Sequence, residues 1–177
     1  MSFFINNTGE YHKRELKTLG WELTVCNTLE FEDGPARGIL SRDATYGEHL
    51  ADFLFSIIDE KKCRTFVEIG GGYGFVARDL LKRNPGMKAA MIDISPLLLK
   101  KQKETLADFD VRFVLSDFFD VERSEWKSHD LAILNEILGD FPTACNLTRK
   151  TIEDVPENSD HPLKSVKRYR NIGLLRL

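Results

Sequence analysis

The chain has 177 residues, of which 42% are hydrophobic and 30% charged, so it is long enough for one domain with a substantial apolar core. The net charge of -3 excludes an overall basic field that would recruit nucleic acid, and the apolar runs are too short to span a bilayer. Residues Met1 to Lys17 lack a basic segment followed by an apolar core, so we expect no secretory signal and a cytoplasmic location.

Cysteines and histidines are scattered through the chain without the spacing of a metal site. The cysteines are Cys26, Cys63 and Cys145, an odd number with no C-x-x-C pair, which favours reduced thiols over a disulfide or a zinc site. The histidines are His12, His49, His129 and His161, and each is most simply a surface or capping residue. We therefore expect no bound metal.

The first 44 residues carry few signals of function. The pattern predicts a short helix over Glu10 to Leu19 and a strand over Trp21 to Cys26. Phe31 to Arg42 is predicted to be a loop because it contains two glycines and a proline. Apolar residues then recur at helical spacing in Tyr46 to Asp59, which predicts an amphipathic helix with a buried stripe.

The stretch from Thr65 to Leu81 organises the rest of the chain. Phe66 to Ile69 is a short apolar run with one acid, Glu68, and it predicts a strand that leads through a turn into a helix. Four glycines form the turn, namely Gly70, Gly71, Gly72 and Gly74. Glycine costs backbone entropy, so this cluster indicates positive φ or the close approach of a ligand. The N–H groups that open the following helix favour an anionic or polar ligand group.

Strands and helices alternate after the glycine turn. The next strand is predicted over Lys88 to Ile94, and Ser95 and Pro96 then cap and open a helix. Two further strands are predicted over Val111 to Leu115 and Asp130 to Leu134. This alternation predicts an α/β fold of parallel βαβ units, with the ligand at the carboxyl ends of the strands. Counting the strand before the glycine turn as the first, we expect the order 3-2-1-4.

Polar residues end all four predicted strands. They are Glu68, Asp93, Ser116 with Asp117, and Asn135 with Glu136. Because the carboxyl ends of parallel strands meet at one edge of a sheet, we expect these side chains to lie together there. Asp93, nineteen residues after Gly74, is placed to accept two hydrogen bonds from a ribose diol. Asp93 as a simple helix-capping acid, and Asp117 as an ordinary turn residue, stay open as alternatives.

The motif Glu68-x-Gly70-x-Gly72-x-Gly74 resembles the first motif of class I S-adenosylmethionine-dependent methyltransferases. The resemblance implies a Rossmann-like fold, with a mostly parallel sheet flanked by helices, and S-adenosyl-L-methionine as cofactor. It implies that Asp93 binds the ribose and that Asp117 lies on the adenine side. The cofactor-binding residues that follow from it are Glu68, Gly70, Gly71, Gly72, Gly74, Asp93, Ile94, Ser116, Asp117 and Asn135.

Within that class, the chain is similar to the MidA-like methyltransferases, whose mitochondrial members assist respiratory complex I assembly by methylating protein arginine. The similarity covers about residues 36 to 142 and rests on two motifs, Asp93-x-Ser95-Pro96 with Gln102, and Asn135-Glu136-Ile137-Leu138 with Phe141-Pro142. Gly139 departs from it, since that family has aspartate there. The similarity implies methyl transfer to a protein side chain, such as arginine, or to a small molecule, with Asn135 and Glu136 as the catalytic residues that face the acceptor.

Two other functions are compatible with parts of the sequence. Gly72 to Ala77 also satisfies G-x-G-x-x-A, which is typical of NAD(P)-dependent oxidoreductases, although that hypothesis leaves Glu68 and the Asn135-Glu136 pair unexplained. The other alternative is a non-enzymatic assembly module that keeps the fold and binds the cofactor. Calorimetry with S-adenosylhomocysteine and NADH separates the first alternative from a methyltransferase.

The sequence divides into residues 1–44 as an N-terminal segment and loop, 45–142 as the cofactor-binding core, and 143–177 as a C-terminal extension. Class I methyltransferases resemble one another in having seven strands, and after Pro142 only a weak strand signal remains, so we expect the C-terminal strands to be missing. The fourth strand would then be an apolar edge. We expect Ala144 to Lys150, the basic tail Leu163 to Leu177, or a second copy of the chain in a homodimer to cover it.

Overall fold

The computed structural model describes residues 4–6, 9–13, 29–30, 37–40 and 43–156. These residues fall into two compact units, one within Gly9–Asp140 and one drawn from Met1–Thr8 and Phe141–Leu177. The helices are α1 (Gly9–His12), α2 (Tyr46–Ile57), α3 (Phe75–Arg83), α4 (Pro96–Thr105), α5 (Arg123–Lys127) and α6 (Arg149–Glu153). The strands are β1 (Phe4–Asn6), β2 (Thr65–Ile69), β3 (Lys88–Asp93), β4 (Val111–Leu115), β5 (Leu131–Ile133) and β6 (Thr143–Cys145).

A four-stranded parallel sheet forms the centre of the larger unit. Its strand order is β4-β3-β2-β5, and every neighbouring pair is parallel. This is the order that the sequence predicts, with the glycine-turn strand β2 between its two partners. The predicted α/β fold, a mostly parallel sheet flanked by helices, is confirmed.

The sheet is buried on both faces at its centre. Phe66 and Val67 are neighbours on β2 and point to opposite faces, and both are fully buried. Strands of this kind read as continuous apolar runs because helices cover both faces of a parallel sheet. On one face, Ala51 of α2 and Leu80 of α3 join Phe66 in the apolar core.

Local capping fixes where two of the helices begin. Thr45 and Glu48 form a reciprocal capping box at the start of α2, in which each side chain accepts the backbone N–H of the other. Ser95 accepts the N–H of Leu98 at the start of α4, and Pro96 is the first residue of that helix. The predicted N-cap at Ser95 is therefore confirmed.

The N-terminal predictions are tested only in part. Helix α1 ends at His12 and Lys13 is in a turn, so the predicted helix over Glu10 to Leu19 is shorter where the structure describes it, and residues 14–28 lie outside the described part. The predicted strand over Trp21 to Cys26 lies there too. Within the predicted loop, Arg37–Ile39 forms a 3-10 turn, and most of the remaining loop residues lie outside the described ranges.

The edge strand β5 is shorter than the predicted Asp130 to Leu134. Asp130 precedes it, and its carboxylate accepts hydrogen bonds from the backbone N–H groups of Arg64 and Thr65, at 2.8 and 3.0 Å, and from the Thr65 hydroxyl at 3.0 Å. These bonds, led by the one from Arg64, hold the pKa of Asp130 below its ordinary value. The amino ends of β5 and β2 are thereby joined.

The smaller unit corrects the prediction for residues 144–150. Strand β6 ends at Cys145 and pairs antiparallel with β1 in a separate two-stranded sheet, while Arg149–Glu153 is helical with Thr148 as its N-cap. The predicted extra strand is therefore wrong in extent, and it does not extend the parallel sheet. The tail Leu163 to Leu177 lies outside the described residues. The homodimer stays a prediction.

Within the described ranges, no helix combines the length and the apolar character that a membrane crossing requires.

Candidate functional site

The glycine turn links β2 to α3 at the carboxyl edge of the parallel sheet. Gly70, Gly72 and Gly74 have φ values of 61°, 54° and 84°, a region that L side chains rarely adopt. Gly74 is the N-cap of α3, and its N–H donates to the carbonyl of Gly71 at 2.8 Å. The positive φ that the glycine cluster predicts is confirmed.

Two of these glycines also leave no room for a side chain. A Cβ atom at Gly70 would lie 2.6 Å from Cγ2 of Ile137, which follows the edge strand β5. A Cβ atom at Gly71 would lie 2.5 Å from Cε of Met91 and 3.1 Å from Oε2 of Glu68. The glycine turn is therefore packed directly against Ile137 and against the carboxyl of Glu68.

Glu68 is a buried acid at the end of β2, with 2% of its surface exposed. Burial raises its pKa to about 8, although the N–H of Ala77 donates a hydrogen bond to the carboxyl, and Asp93 raises the pKa further. Its Oε2 atom has no hydrogen-bond partner among the described residues. An unpartnered acceptor at this depth is unfavourable unless it carries a proton or a ligand supplies a donor.

Asp93 ends β3 and is tied to the glycine turn through Gln102. The Nε2 group of Gln102 donates to Oδ2 of Asp93 at 2.7 Å and to the carbonyl of Gly72 at 3.1 Å. Oδ1 of Asp93 accepts the N–H of Ser95 at 2.8 Å. Burial raises the pKa of Asp93 to about 6, while these hydrogen bonds and His12 oppose the rise. Both the capping alternative and a ligand-binding role fit, because a carboxylate has about four acceptor positions.

The residues after β3 and β4 continue the same edge. Ile94 is half-buried, and the N–H of Ser116 donates to the carbonyl of Asp93 at 3.0 Å. Asp117 caps the 3-10 turn Phe118–Asp120 by accepting the N–H of Phe119. The turn-residue alternative for Asp117 therefore has a structural basis, and its other oxygen lies 3.8 Å from Nζ of Lys13.

Asn135 and Glu136 follow β5 in a constrained backbone. Glu136 is exposed and has φ of 60°, which is uncommon for a residue other than glycine. Asn135 accepts a hydrogen bond from the Tyr46 hydroxyl at 2.9 Å. The pair thus lies at the same edge, next to the Ile137 side chain that contacts Gly70.

A charged network holds Tyr46 at the start of α2. The hydroxyl of Thr45 donates to Asp79, which is 3% exposed, and Arg78 bonds both Asp79 and Glu30. The ion pairs raise the pKa of Arg78 against the opposing effect of burial. Removing one member of such a buried pair leaves a charge without compensation, so the network fixes α2 against α3.

Sequence reasoning missed three residues at this edge. Besides Tyr46, they are His12, whose Nε2 lies 3.5 Å from Oδ1 of Asp140, and Lys13 beside Asp117. No spacing rule identifies them, because each pairs with a residue far away in the chain. Gln102 entered only through the family motif. The described residues contain no group of three or more His, Cys, Asp or Glu that could hold a metal ion.

The chemistry of this edge is that of a polar, largely acidic binding site. Glu68 and Asp93 lie inside it, Asp117, Glu136 and Asp140 lie around it, and the basic side chains described there are those of His12 and Lys13. Three glycines with positive φ leave that part of the turn without side chains of its own. Such a site suits a ligand that has hydroxyl or amino donors and carries positive charge.

Comparisons with known proteins agree with this chemistry. A family model described as an O-methyltransferase domain matches residues 48–157, more than half of the chain. Malonyl-(acyl-carrier protein) O-methyltransferase 1 of Ilyobacter polytropus is 34% identical over 86 residues, which cover 46% of this chain and 32% of the relative. The chain spans about a third of the length of the curated relatives it matches.

Solved methyltransferase structures match more loosely. The mitomycin 7-O-methyltransferase MmcR is 26% identical, with 56% of this chain and 30% of that chain covered and a TM-score of 0.37. The plantazolicin methyltransferase BpumL in complex with SAH is 16% identical, with 73% and 56% covered and a TM-score of 0.40. None of these comparisons supports the narrower MidA-like resemblance, the oxidoreductase or the non-enzymatic assembly module.

Proposed function

Since the chain belongs to the O-methyltransferase domain family, we propose that it binds S-adenosyl-L-methionine at the glycine turn and transfers the methyl group to an oxygen atom of a small-molecule acceptor. The proposal takes its acceptor chemistry from the family and from the relative that methylates malonyl-(acyl-carrier protein). Transfer to a protein arginine rested on the MidA-like resemblance and is set aside.

The observation that carries the proposal is the buried carboxyl of Glu68 beside a turn in which three glycines have positive φ. Oε2 of Glu68 has no partner among the described residues, and a Cβ atom at Gly71 would lie only 3.1 Å from it. A ligand ammonium group brings the donors and the positive charge that this oxygen lacks. The amino-acid end of the cofactor has such a group, so the residues fit it.

The other cofactor-binding residues follow along the strand ends. Asp93, fixed by Ser95 and Gln102, would accept hydrogen bonds from the ribose hydroxyls. Ile94 would pack on the base as a half-buried apolar side chain, and Ser116 and Asp117 would bind its polar edge. Gly70, Gly72 and Gly74 would give the turn its shape.

The bound cofactor supplies a methyl group on a sulfonium leaving group that needs no further activation. The chain therefore has to orient the acceptor, exclude water and remove a proton from the acceptor hydroxyl. Asn135, held by Tyr46, would orient the acceptor, and Glu136 would hold it or accept its proton. The His12–Asp140 pair is a second group at this edge that can accept a proton.

Calorimetry and thermal unfolding with S-adenosylhomocysteine test the cofactor part of this proposal. Binding should raise the unfolding temperature at saturating ligand because the ligand binds only the folded state. NADH is the control ligand and should bind at least 100-fold more weakly. An unfolding temperature unchanged by S-adenosylhomocysteine, or a preference for NADH, would contradict the proposal.

Glu136→Gln is expected to lower methyl transfer by about 100-fold or more while cofactor affinity changes less than about threefold, because a group that takes the acceptor proton contributes roughly 10² to 10⁴ in rate. The measurement is transfer of labelled methyl from S-adenosylmethionine to a panel of phenols, alcohols and carboxylic acids, with S-adenosylhomocysteine affinity measured in parallel.

Asp110→Asn is the matched control, since Asp110 is an exposed acid at the amino end of β4, on the opposite edge of the sheet. It should leave both measurements unchanged. If Glu136→Gln weakened cofactor binding as much as transfer, Glu136 would belong to the cofactor pocket instead of the acceptor side.

A further inference from the structure

Glu68 has an environment that does not tolerate a negative charge in the ligand-free protein. It is 2% exposed, and within the described part of the chain it has no ion-pair partner and its carboxyl accepts one hydrogen bond, from the N–H of Ala77. Desolvation of a carboxylate costs several kcal/mol unless a cation or several donors compensate. The single N–H of Ala77, at the start of α3, offsets only part of this desolvation cost.

The groups around Glu68 reinforce this conclusion. From β3, Met91 contributes a methyl group beside the Gly71 backbone, and the carboxylate of Asp93 is a like charge. His12 of α1 acts on Asp93 and opposes the rise in that residue's pKa. The glycine turn adds backbone but no charge. The orphaned Oε2 atom is therefore the natural position for a proton.

We propose that Glu68 is a neutral acid in the ligand-free protein and releases its proton to solvent when the ammonium group at the amino-acid end of the cofactor docks beside it on the glycine turn. The inference rests on the proposed function, because it takes the cofactor as the ligand. The O–H bond of the carboxyl breaks, the proton passes to buffer, and the carboxylate remains as the partner of the ligand ammonium. Cofactor binding is therefore linked to pH through a residue that does not react.

This linkage has a definite direction. The empty site binds one more proton than the occupied site between the two pKa values of Glu68, so affinity rises with pH. Burial raises the pKa of Glu68 to about 8, so about nine-tenths of the Glu68 side chains are protonated at pH 7 in the empty protein. Affinity should therefore rise about tenfold from pH 6 to 7, about fivefold from pH 7 to 8, and level off above that. Asp93, with its pKa raised to about 6, adds to the slope only near and below pH 6.

Calorimetry of S-adenosylhomocysteine binding at pH 7 in buffers of different ionisation enthalpy measures the protons released. The full chain should release close to one proton, and Glu68→Gln should release almost none. The second ligand is 5′-methylthioadenosine, which keeps the adenosine and thioether but lacks the amino-acid end, and its binding should release almost no proton even in the unaltered protein. That comparison does not depend on the folding of any variant.

The outcomes separate this inference from the proposed function. Binding of S-adenosylhomocysteine without proton release, or equal release with 5′-methylthioadenosine, would overturn the role of Glu68 and leave the cofactor assignment standing. Release that persists in Glu68→Gln would also overturn it. Absence of S-adenosylhomocysteine binding at every pH would overturn the proposed function, and this inference with it. Asp110→Asn should match the unaltered protein in every buffer.

Discussion

Replacing Asp93 with alanine is expected to weaken S-adenosylhomocysteine binding by about 10- to 150-fold, or about 1.5 to 3 kcal/mol, because charge-assisted hydrogen bonds to a ribose diol are lost. The carboxylate is 3% exposed and is held in place by Ser95 and Gln102. The Nε2 group of Gln102 donates to both Asp93 and the carbonyl of Gly72, so the substitution breaks the first of these two hydrogen bonds and leaves only the second. Isothermal calorimetry at pH 8, where Asp93 is ionised because its pKa is about 6, measures the effect.

Asp117→Ala is the informative comparison for Asp93→Ala. Asp117 also ends a strand at this edge, but it is less buried and caps a 3-10 turn. We expect the loss of affinity to be several-fold smaller for Asp117→Ala. An unchanged dissociation constant in Asp93→Ala, with an unaltered circular dichroism spectrum, would remove Asp93 from the site and leave it the helix-capping role.

Gly70→Ala is expected to lower the free energy of unfolding by about 2 to 5 kcal/mol. An L residue at φ of 61° costs about 1 to 2 kcal/mol, and the new methyl group would lie 2.6 Å from Cγ2 of Ile137, which adds about 1 to 3 kcal/mol of overpacking strain. Because Ile137 follows Asn135 and Glu136 directly, its displacement should also weaken ligand binding. Urea unfolding followed by circular dichroism measures the stability.

Gly139→Ala is the matched control for Gly70→Ala. A Cβ atom at Gly139 meets nothing within 4 Å among the described residues, and Gly139 is exposed. The same added methyl group should therefore change the free energy of unfolding by less than about 0.5 kcal/mol. Equal losses in the two variants would mean that the contact between Gly70 and Ile137 does not determine the effect.

The fold of the larger unit was predictable because its signals are local. The apolar runs of β2, β3 and β4, the glycine turn and the cap at Ser95 each follow from neighbouring residues, and the alternation then leaves few topologies. The partner of residues 143–150 was not predictable. Three-residue strands such as β1 and β6 carry little pattern, and antiparallel pairing between segments so far apart in the chain leaves no signal in either segment.

Some residues of the candidate site were likewise predictable from the sequence, and others were not. Strand-end residues could be assigned to one edge because parallel strands place them there, and the structure brings Asp93 and Ser116 into direct contact. The contacts of Tyr46 with Asn135, and of His12 with Asp140, depend on how α2 and α1 pack over that edge. This packing depends on the tertiary structure, so residue types and their spacing in the sequence do not predict these contacts. The roles of all these residues stay proposals.

The buried carboxyl of Glu68 has a consequence for the stability of the fold. Its pKa in the folded chain is raised by burial to about 8, above the ordinary value of 4.5, so its contribution to stability is fully present below about pH 4.5 and is lost as pH rises through about 8. Cofactor affinity runs the other way over the same range. Mildly alkaline conditions therefore lower the free energy of unfolding of the ligand-free protein while they raise its affinity for the cofactor. The fraction of folded molecules then depends on the cofactor concentration.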